Sequence, residues 1–226
     1  MFNIPGSRFF MESEKLKVNE IYKSIQGETS FVGLPFVLVR LTGCHLRCSY
    51  CDTEYAFYEG KEISIPEIIR TVESLNTHHV LVTGGEPLDQ KQCKTLIAAL
   101  LDAGHEVLVE TSGAHSIRDC PRGAHYIVDV KTPSSKMTHK NYPNMVEELL
   151  PHDEVKFVIG TREDYTFSKE FVKHHDLNKI CPVLFSPVFG KMEYKTLVGW
   201  ILEDKLPVRF QIQLHKHVWE PTARGV

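Results

Sequence analysis

The chain has 226 residues, enough to bury a sizeable core, and a formal net charge of -3, which gives no general attraction to nucleic acid or to an anionic membrane. No window reaches the length of a membrane span, and the N-terminus has no basic segment followed by an apolar one, so a cytoplasmic protein is expected. Its six cysteines would then sit in a reducing compartment, where thiols serve metals in preference to bridges.

Residues 1–17 mix Pro5 and Gly6 with charges and show no period, which reads as a loosely structured N-terminal arm. Residues 18–34 read as an extension, with Val18–Ser24 alternating like an edge strand and Gln26-Gly27-Glu28 following as a polar loop. Pro35–Leu41 is a nearly continuous apolar run of strand length, as expected for a strand covered on both faces. It leads into Gly43–Thr53, where Cys44, Cys48 and Cys51 crowd into eight residues. Ser64-Ile-Pro-Glu then matches a capping box with proline in the first turn. Ile65, Ile68, Ile69, Val72 and Leu75 recur at helical spacing, predicting a helix that ends near Asn76.

From there the pattern alternates. Strands are predicted at Val80–Thr83, Glu106–Thr111, Tyr126–Val130, Val155–Ile159 and Val183–Phe185, and a closing strand at Val208–Leu214. Helices are predicted at Asp89–Ala103, Arg162–His175 and Glu193–Lys205. Strand and helix in turn imply an α/β fold with a parallel sheet. Ala114–His125 is too short and polar for a good crossover helix, and the stretch 131–152 carries Pro133, Pro143 and Pro151. The expected fold is therefore an incomplete TIM-type barrel of about six parallel strands with fewer helices than strands, because a closed barrel typically needs about 250 residues. Residues 35–226 and the extension would form one domain. Ligands in such folds bind at the carboxyl ends of the strands. That rule gathers the cysteine loop, Gly84–Pro87, Glu110–Gly113, Asp129–Lys131 and Ser186-Pro187 on one face.

Three cysteines separated by three and then two residues can turn their thiolates toward one centre, and soft ligands favour zinc or an iron-sulfur cluster. A structural zinc site closes its tetrahedron with a fourth Cys or His, and a saturated [4Fe-4S] cluster takes four cysteines. The tight group here stops at three, which leaves one metal position open. A zinc site completed by His45 or a distant histidine, a disulfide or simple core burial are the competing readings. His215 and His217 flank one residue beside Trp219 and, on a strand, would share a face without a third ligand, which favours a structural or substrate-rim role. Cys93 reads as a core residue; Cys120 and Cys181 carry no signal.

Thr83-Gly84-Gly85-Glu86-Pro87 ends the strand after the cysteine loop with two glycines, where the backbone must turn sharply or approach a ligand closely. The two motifs together resemble the radical S-adenosylmethionine enzymes. The resemblance implies that Cys44, Cys48 and Cys51 hold a [4Fe-4S] cluster whose fourth iron binds S-adenosylmethionine, with Tyr50 near the adenine.

A narrower resemblance covers nearly the whole chain. Ser24-Ile25-Gln26-Gly27-Glu28, Arg40–Cys44, Cys51-Asp52-Thr53, Glu110–Gly113, Thr132–Met137 and the terminal Arg224-Gly225-Val226 are similar to the 7-carboxy-7-deazaguanine synthase family. That likeness implies conversion of 6-carboxy-5,6,7,8-tetrahydropterin to 7-carboxy-7-deazaguanine with loss of ammonia, on the route to queuosine. It implies Mg²⁺ as well as S-adenosylmethionine, with Thr53 as the Mg²⁺ ligand. Ile25, Gln26, Gly27, Glu28, Arg40, Thr83 and the terminal carboxylate of Val226 would bind substrate. Gly85, Ser112, Asp129, Val130 and Lys131 would hold S-adenosylmethionine, and Ser186–Phe189 occupies the place of another cofactor-contacting loop. Thr29 stands where the family usually has glycine, so its backbone must accept a compatible angle. A flavodoxin or ferredoxin as reductant and a homodimer complete the expectation. The alternatives are a glycyl-radical activating enzyme, which shares both motifs but acts on a protein, and a non-catalytic iron-sulfur carrier or zinc module, which would need a fourth protein ligand.

Overall fold

The structure is a computed structural model that describes residues 14–226. Nine strands form one sheet in the order β3-β1-β2-β4-β5-β6-β7-β8-β9. They are β1 Lys15–Ile25, β2 Pro35–Leu41, β3 Lys61–Ser64, β4 His79–Gly84, β5 Glu106–Thr111, β6 His125–Asp129, β7 Glu154–Ile159, β8 Val183–Pro187 and β9 Arg209–Phe210. From β2 to β9 every pairing is parallel, and only β1 runs antiparallel, to β2 and to β3. Six of the parallel strands have at least five residues, as the partial-barrel expectation requires, and β9 adds two more. Helices α1 Ile65–Ser74, α2 Cys93–Asp102, α3 Arg162–His174 and α4 Tyr194–Glu203 cover the outside, and α5 His215–Val218 is a single turn. Where no crossover helix was expected, between β5 and β6 and between β6 and β7, the chain runs in loops and 3₁₀ turns.

Period two decides what each strand presents to each side. Val37, Val39 and Leu41 of β2 face out into the main apolar core, with Val80 and Val82, Val107 and Val109, Tyr126 and Val128, and Phe157 from the strands that follow. Ile65, Ile68 and Val72 of α1, Leu96, Ile97 and Leu100 of α2, and Leu197 of α4 meet them. Facing in, Phe36, Leu38, Leu81, Leu108 and Ile127 form a separate apolar floor against which Phe31 packs. One step further along the same strands, the inward positions become Arg40, Thr83, Glu110, Asp129, Lys156 and Ser186.

Several expectations need correction. Lys15, Leu16 and Lys17 belong to β1 and not to a loose arm, while residues 1–13 of that arm lie outside the described residues. β3, whose Lys61-Glu62-Ile63-Ser64 is too short and charged to signal a strand, pairs with the start of β1, Lys15–Val18, so only the later part of β1 is the edge expected of Val18–Ser24. Ser64 does cap α1, but its side chain makes no cap hydrogen bond; the capping box instead forms at Thr161 and Asp164, opening α3. The predicted closing strand shrinks to Arg209–Phe210, since the side chains of Gln211 and Gln213 turn to the loop after β1. His215 and His217 consequently lie on α5, not on a strand.

Candidate active site

The cysteine loop leaves β2 through Gly43, whose φ of 101° is closed to other residues without strain. Its end is fixed by Ser49 N–H donating to the Ser135 carbonyl at 3.1 Å and by a turn from Cys51 N–H to the Cys48 carbonyl. All three thiols are free and half-buried. Burial pushes the Cys44 thiol up to about 11 and raises those of Cys48 and Cys51, so these groups lose their protons readily only when something positive takes the proton's place. Gly85 abuts this loop so tightly that a Cβ there would collide with the Gly43 carbonyl oxygen and the Cys44 Cβ. Glu86 N–H donates to the same carbonyl at 2.8 Å. The buried Glu86 carboxylate accepts from Ser112 N–H at 2.6 Å and from the Thr111 hydroxyl at 2.9 Å. The two glycines and the glutamate thus bind the ends of β2, β4 and β5 into one rigid wall.

Beside that wall lies a cavity of about 780 Å³. It is lined by Cys44, Cys48 and Cys51, and by Tyr50, Thr53, Gly85, Ser112, Asp129 and Lys131 at the strand ends. Ile25, Gln26, Gly27, Glu28, Arg40, Thr83 and Val226 line it too, as do Ser186, Pro187, Val188 and Phe189. Val130 is the exception: strand parity turns it outward into the main core, and its backbone N–H is bonded to the Lys156 carbonyl. Thr29 has the positive φ, 66°, that its replacement of glycine demanded.

Three charge systems furnish the interior, and in one of them Lys131 Nζ pairs with Asp129 Oδ2 at 3.0 Å. Arg40 Nε donates to Glu20 Oε1 at 2.7 Å and its Nη2 to the Tyr22 hydroxyl at 3.1 Å, while the Tyr55 hydroxyl donates to the same Glu20 oxygen. That fixes the guanidinium as a pre-oriented cation, a suitable partner for a carboxylate. Opposite, Lys156 Nζ meets Glu28 Oε2 at 2.8 Å and Gln213 Nε2 donates to Glu28 Oε1 at 3.0 Å. Burial opposes the charge on Glu28, but Lys156 outweighs it and holds the carboxyl below the usual range. Glu110 has no such partner: burial raises its carboxyl, with only the Thr83 hydroxyl donating to it at 3.1 Å. At the rim the Thr53 hydroxyl donates to Asp52 Oδ1 at 2.9 Å, and Lys216 pairs with Asp52 Oδ2.

The furnishings fit the groups that the resemblance implied. Buried polar side-chain atoms are almost always hydrogen-bonded, yet the Gln26 Nε2, Ser112 Oγ, Asp129 Oδ1 and Ser186 Oγ atoms, all buried on residues that line this cavity, find no partner among the described residues. Three sit at strand ends on the cysteine side, matching the amine, carboxylate and ribose hydroxyls of S-adenosylmethionine in hydrogen-bonding type. Three thiols with no fourth protein ligand beside them among the described residues suit a cluster with one open iron. Thr53 and Asp52 offer hard oxygens of the kind Mg²⁺ takes.

Glu20, Tyr22, Tyr55, Lys156, Gln213, His215 and Lys216 belong to the site and were not singled out as site residues, although a rim role for His215 was anticipated. His215 packs its ring where a Cβ on Gly27 would stand, whereas His217 bonds the Tyr194 hydroxyl. Lys156 carried a usable signal, a charge at an inward position of a strand that is apolar from Phe157 to Ile159; the tail residues carried none.

The radical SAM superfamily profile matches residues 38–150. The chain is 40% identical over 226 residues to the 7-carboxy-7-deazaguanine synthase of Koribacter versatilis, covering 93% of this chain and 100% of that one. To the enzyme of the same name from Chlorobaculum tepidum it is 42% identical over 214 residues, covering 93% and 97%. The crystal structure of QueE from Escherichia coli superposes with a TM-score of 0.77 at 20% identity, covering 94% of this chain and all of that one, a likeness of fold.

Proposed function

As the chain belongs to the 7-carboxy-7-deazaguanine synthase family of radical SAM enzymes, we propose that its cavity binds 6-carboxy-5,6,7,8-tetrahydropterin and releases 7-carboxy-7-deazaguanine and ammonia. The observation that carries this reading is the joint presence in one cavity of three open thiols, a fixed guanidinium and a lone buried carboxylate. When bound, the cluster and S-adenosylmethionine supply one-electron cleavage to a carbon radical able to take hydrogen from unactivated carbon.

The chain's own residues do the rest. Arg40, held by Glu20 and Tyr22, receives the substrate carboxylate in two parallel hydrogen bonds. The pterin edge presents amino and ring N–H donors beside a carbonyl acceptor. Glu110 accepts from the donors, the free Gln26 Nε2 donates to the carbonyl, and Val226 lines the same cavity. Ser112, Asp129, Lys131 and Gly85 hold S-adenosylmethionine beside the cysteines, Tyr50 flanks its adenine, and Thr53 ligates Mg²⁺ together with substrate oxygens. Val130 contributes only its backbone. Residues 221–226 line the cavity, a wall that suits a small molecule better than the polypeptide substrate of an activating enzyme. The reading includes electron supply by a flavodoxin or ferredoxin and a homodimer in the cytoplasm; among the described residues no helix is long and apolar enough to cross a membrane.

The test is anaerobic turnover of reconstituted protein with S-adenosylmethionine, Mg²⁺, a reductant and 6-carboxytetrahydropterin, followed by mass spectrometry. Many equivalents of 7-carboxy-7-deazaguanine without matching consumption of S-adenosylmethionine are expected. Accumulation of 5′-deoxyadenosine and methionine alone would remove the pterin from the proposal.

A further inference from the structure

Outside the cavity, three successive strand-end loops bring His45, Asp89 and His115 together. His45 Nδ1 and His115 Nε2 each lie 2.7 Å from the same carboxylate oxygen, Asp89 Oδ1, and the three ligand atoms fall within 4.8 Å of one another. The imidazole rings stand 5.0 Å apart at 70°. We propose that this trio is a second metal site, one that takes a divalent transition ion of the zinc or ferrous class.

The argument is one of convergence. Two imidazoles that merely balance a carboxylate spread over its two oxygens, as His79 and His125 do around Glu106, at 3.1 Å to Oε2 and 3.6 Å to Oε1. Around Asp89 both nitrogens meet the same oxygen, with His45 Nδ1 reaching Oδ2 as well at 3.0 Å, so three donor residues already gather about one position. An ion there takes the place of the imidazole protons, and the donors would draw around it to bonds of about 2.0–2.2 Å. Two histidines and one carboxylate suit zinc, ferrous iron, cobalt or nickel, whereas the oxygen donors at Thr53 suit Mg²⁺.

The donors are held in place before any ion arrives. Asp89 Oδ2 accepts the backbone N–H of His45 at 3.0 Å, and the 3₁₀ turn that carries Asp89 starts from the buried Glu86, which caps it through Leu88 N–H. The side chains are about a quarter to a third exposed, 35% for each histidine and 24% for the aspartate, so solvent can fill the remaining positions and the ion has a way in. An occupied site would fasten the start of the cysteine loop to the ends of β4 and β5 from the side opposite the cavity.

The test uses the cluster-loaded protein, treated with chelator, kept anaerobic in excess Mg²⁺, and titrated calorimetrically with Zn²⁺. One ion per chain with micromolar affinity is expected, with no bleaching of the cluster absorbance. His115→Ala should weaken binding at least tenfold at unchanged iron content, and Asp89→Asn should do the same. Absence of binding at 100 µM Zn²⁺, binding that bleaches the cluster, or an affinity indifferent to both variants would each overturn the site and leave a hydrogen-bonded staple. None of these outcomes bears on the pterin reaction, which is assayed separately.

Discussion

The two faces of the sheet are made from the same strands, residue by residue in alternation, and they differ in almost every physical respect. On the outside, valines, leucines, isoleucines and aromatics from seven strands interlock with the helices into one apolar cluster. On the inside, five large apolar side chains form a floor, and above it stand Arg40, Glu110, Asp129, Lys156 and Ser186 around a cavity. Unpartnered polar atoms gather on this inner side; each buried one costs about 1–3 kcal/mol until something binds it. Fully burying a large apolar side chain returns about 1.5–3 kcal/mol. The outer face therefore supplies stability that the inner face spends on readiness.

If that division holds, substitutions on the two faces should fail in different ways. Cys48→Ala should have the largest effect on function, abolishing cluster loading and product formation, while the unfolding free energy of the unloaded chain in urea changes by no more than about 0.5 kcal/mol, as for other partly exposed positions. Iron analysis and denaturation on the same sample check both halves of that statement. Leu100→Ala, on the outer face and fully buried, should do the reverse: a loss of about 2–5 kcal/mol with S-adenosylmethionine affinity retained by whatever remains folded.

The Lys156 and Glu28 pair sharpens the comparison, because it is charged yet buried. Lys156→Met alone leaves an unpaired buried carboxylate and should cost about 3–5 kcal/mol. Adding Glu28→Gln should recover most of that stability and none of the turnover. Recovery of both would mean that the inner charges are structural. Ser112→Ala removes an unpartnered hydroxyl, so stability should hold or rise, while S-adenosylmethionine binding weakens about fivefold for one lost hydrogen bond of about 1 kcal/mol.

The smallest effect concerns Glu148, outside the cavity. Burial disfavours its charge, but the Ser116 hydroxyl and the N–H groups of Ile117 and Arg118 overcome that and hold its carboxyl low. A folded-state value below the unfolded one contributes stability above about pH 4.5 that is lost as pH falls through the folded value. Glu148→Gln should thus lower urea stability at pH 7, and the deficit should shrink below pH 4.5.

Much of this division was legible from residue order alone. The apolar run Pro35–Leu41, the helical spacing of Ile65 to Leu75 and the strand-end motifs located the sheet, the first helix and the site's rim. Parity, applied strictly, would also have turned Val130 outward while keeping Asp129 and Lys131 in. Other features depended on partners far along the chain. β3 exists because β1 offers it an edge, and the alternation of residues 208–214 is broken by Gln211 and Gln213, which bond Thr29 and Glu28. No local pattern reports a hydrogen bond formed across that distance.

Those long spans set an order of events. The loop after β1 leaves the ribosome early, but its fastenings arrive late: Ser30 waits for Glu154, Glu28 for Lys156 and Gln213, and Thr29 for Gln211, separations of 124 to 185 residues. At about 5–20 residues per second, the loop remains without these partners for many seconds while the part of the outer core around β2, β4 and β5 can already assemble. The substrate wall is thus the last part of the protein to close, and a chain stopped before residue 209 would keep its cysteine loop and the pairing of β2 with β4 while lacking two anchors of that wall.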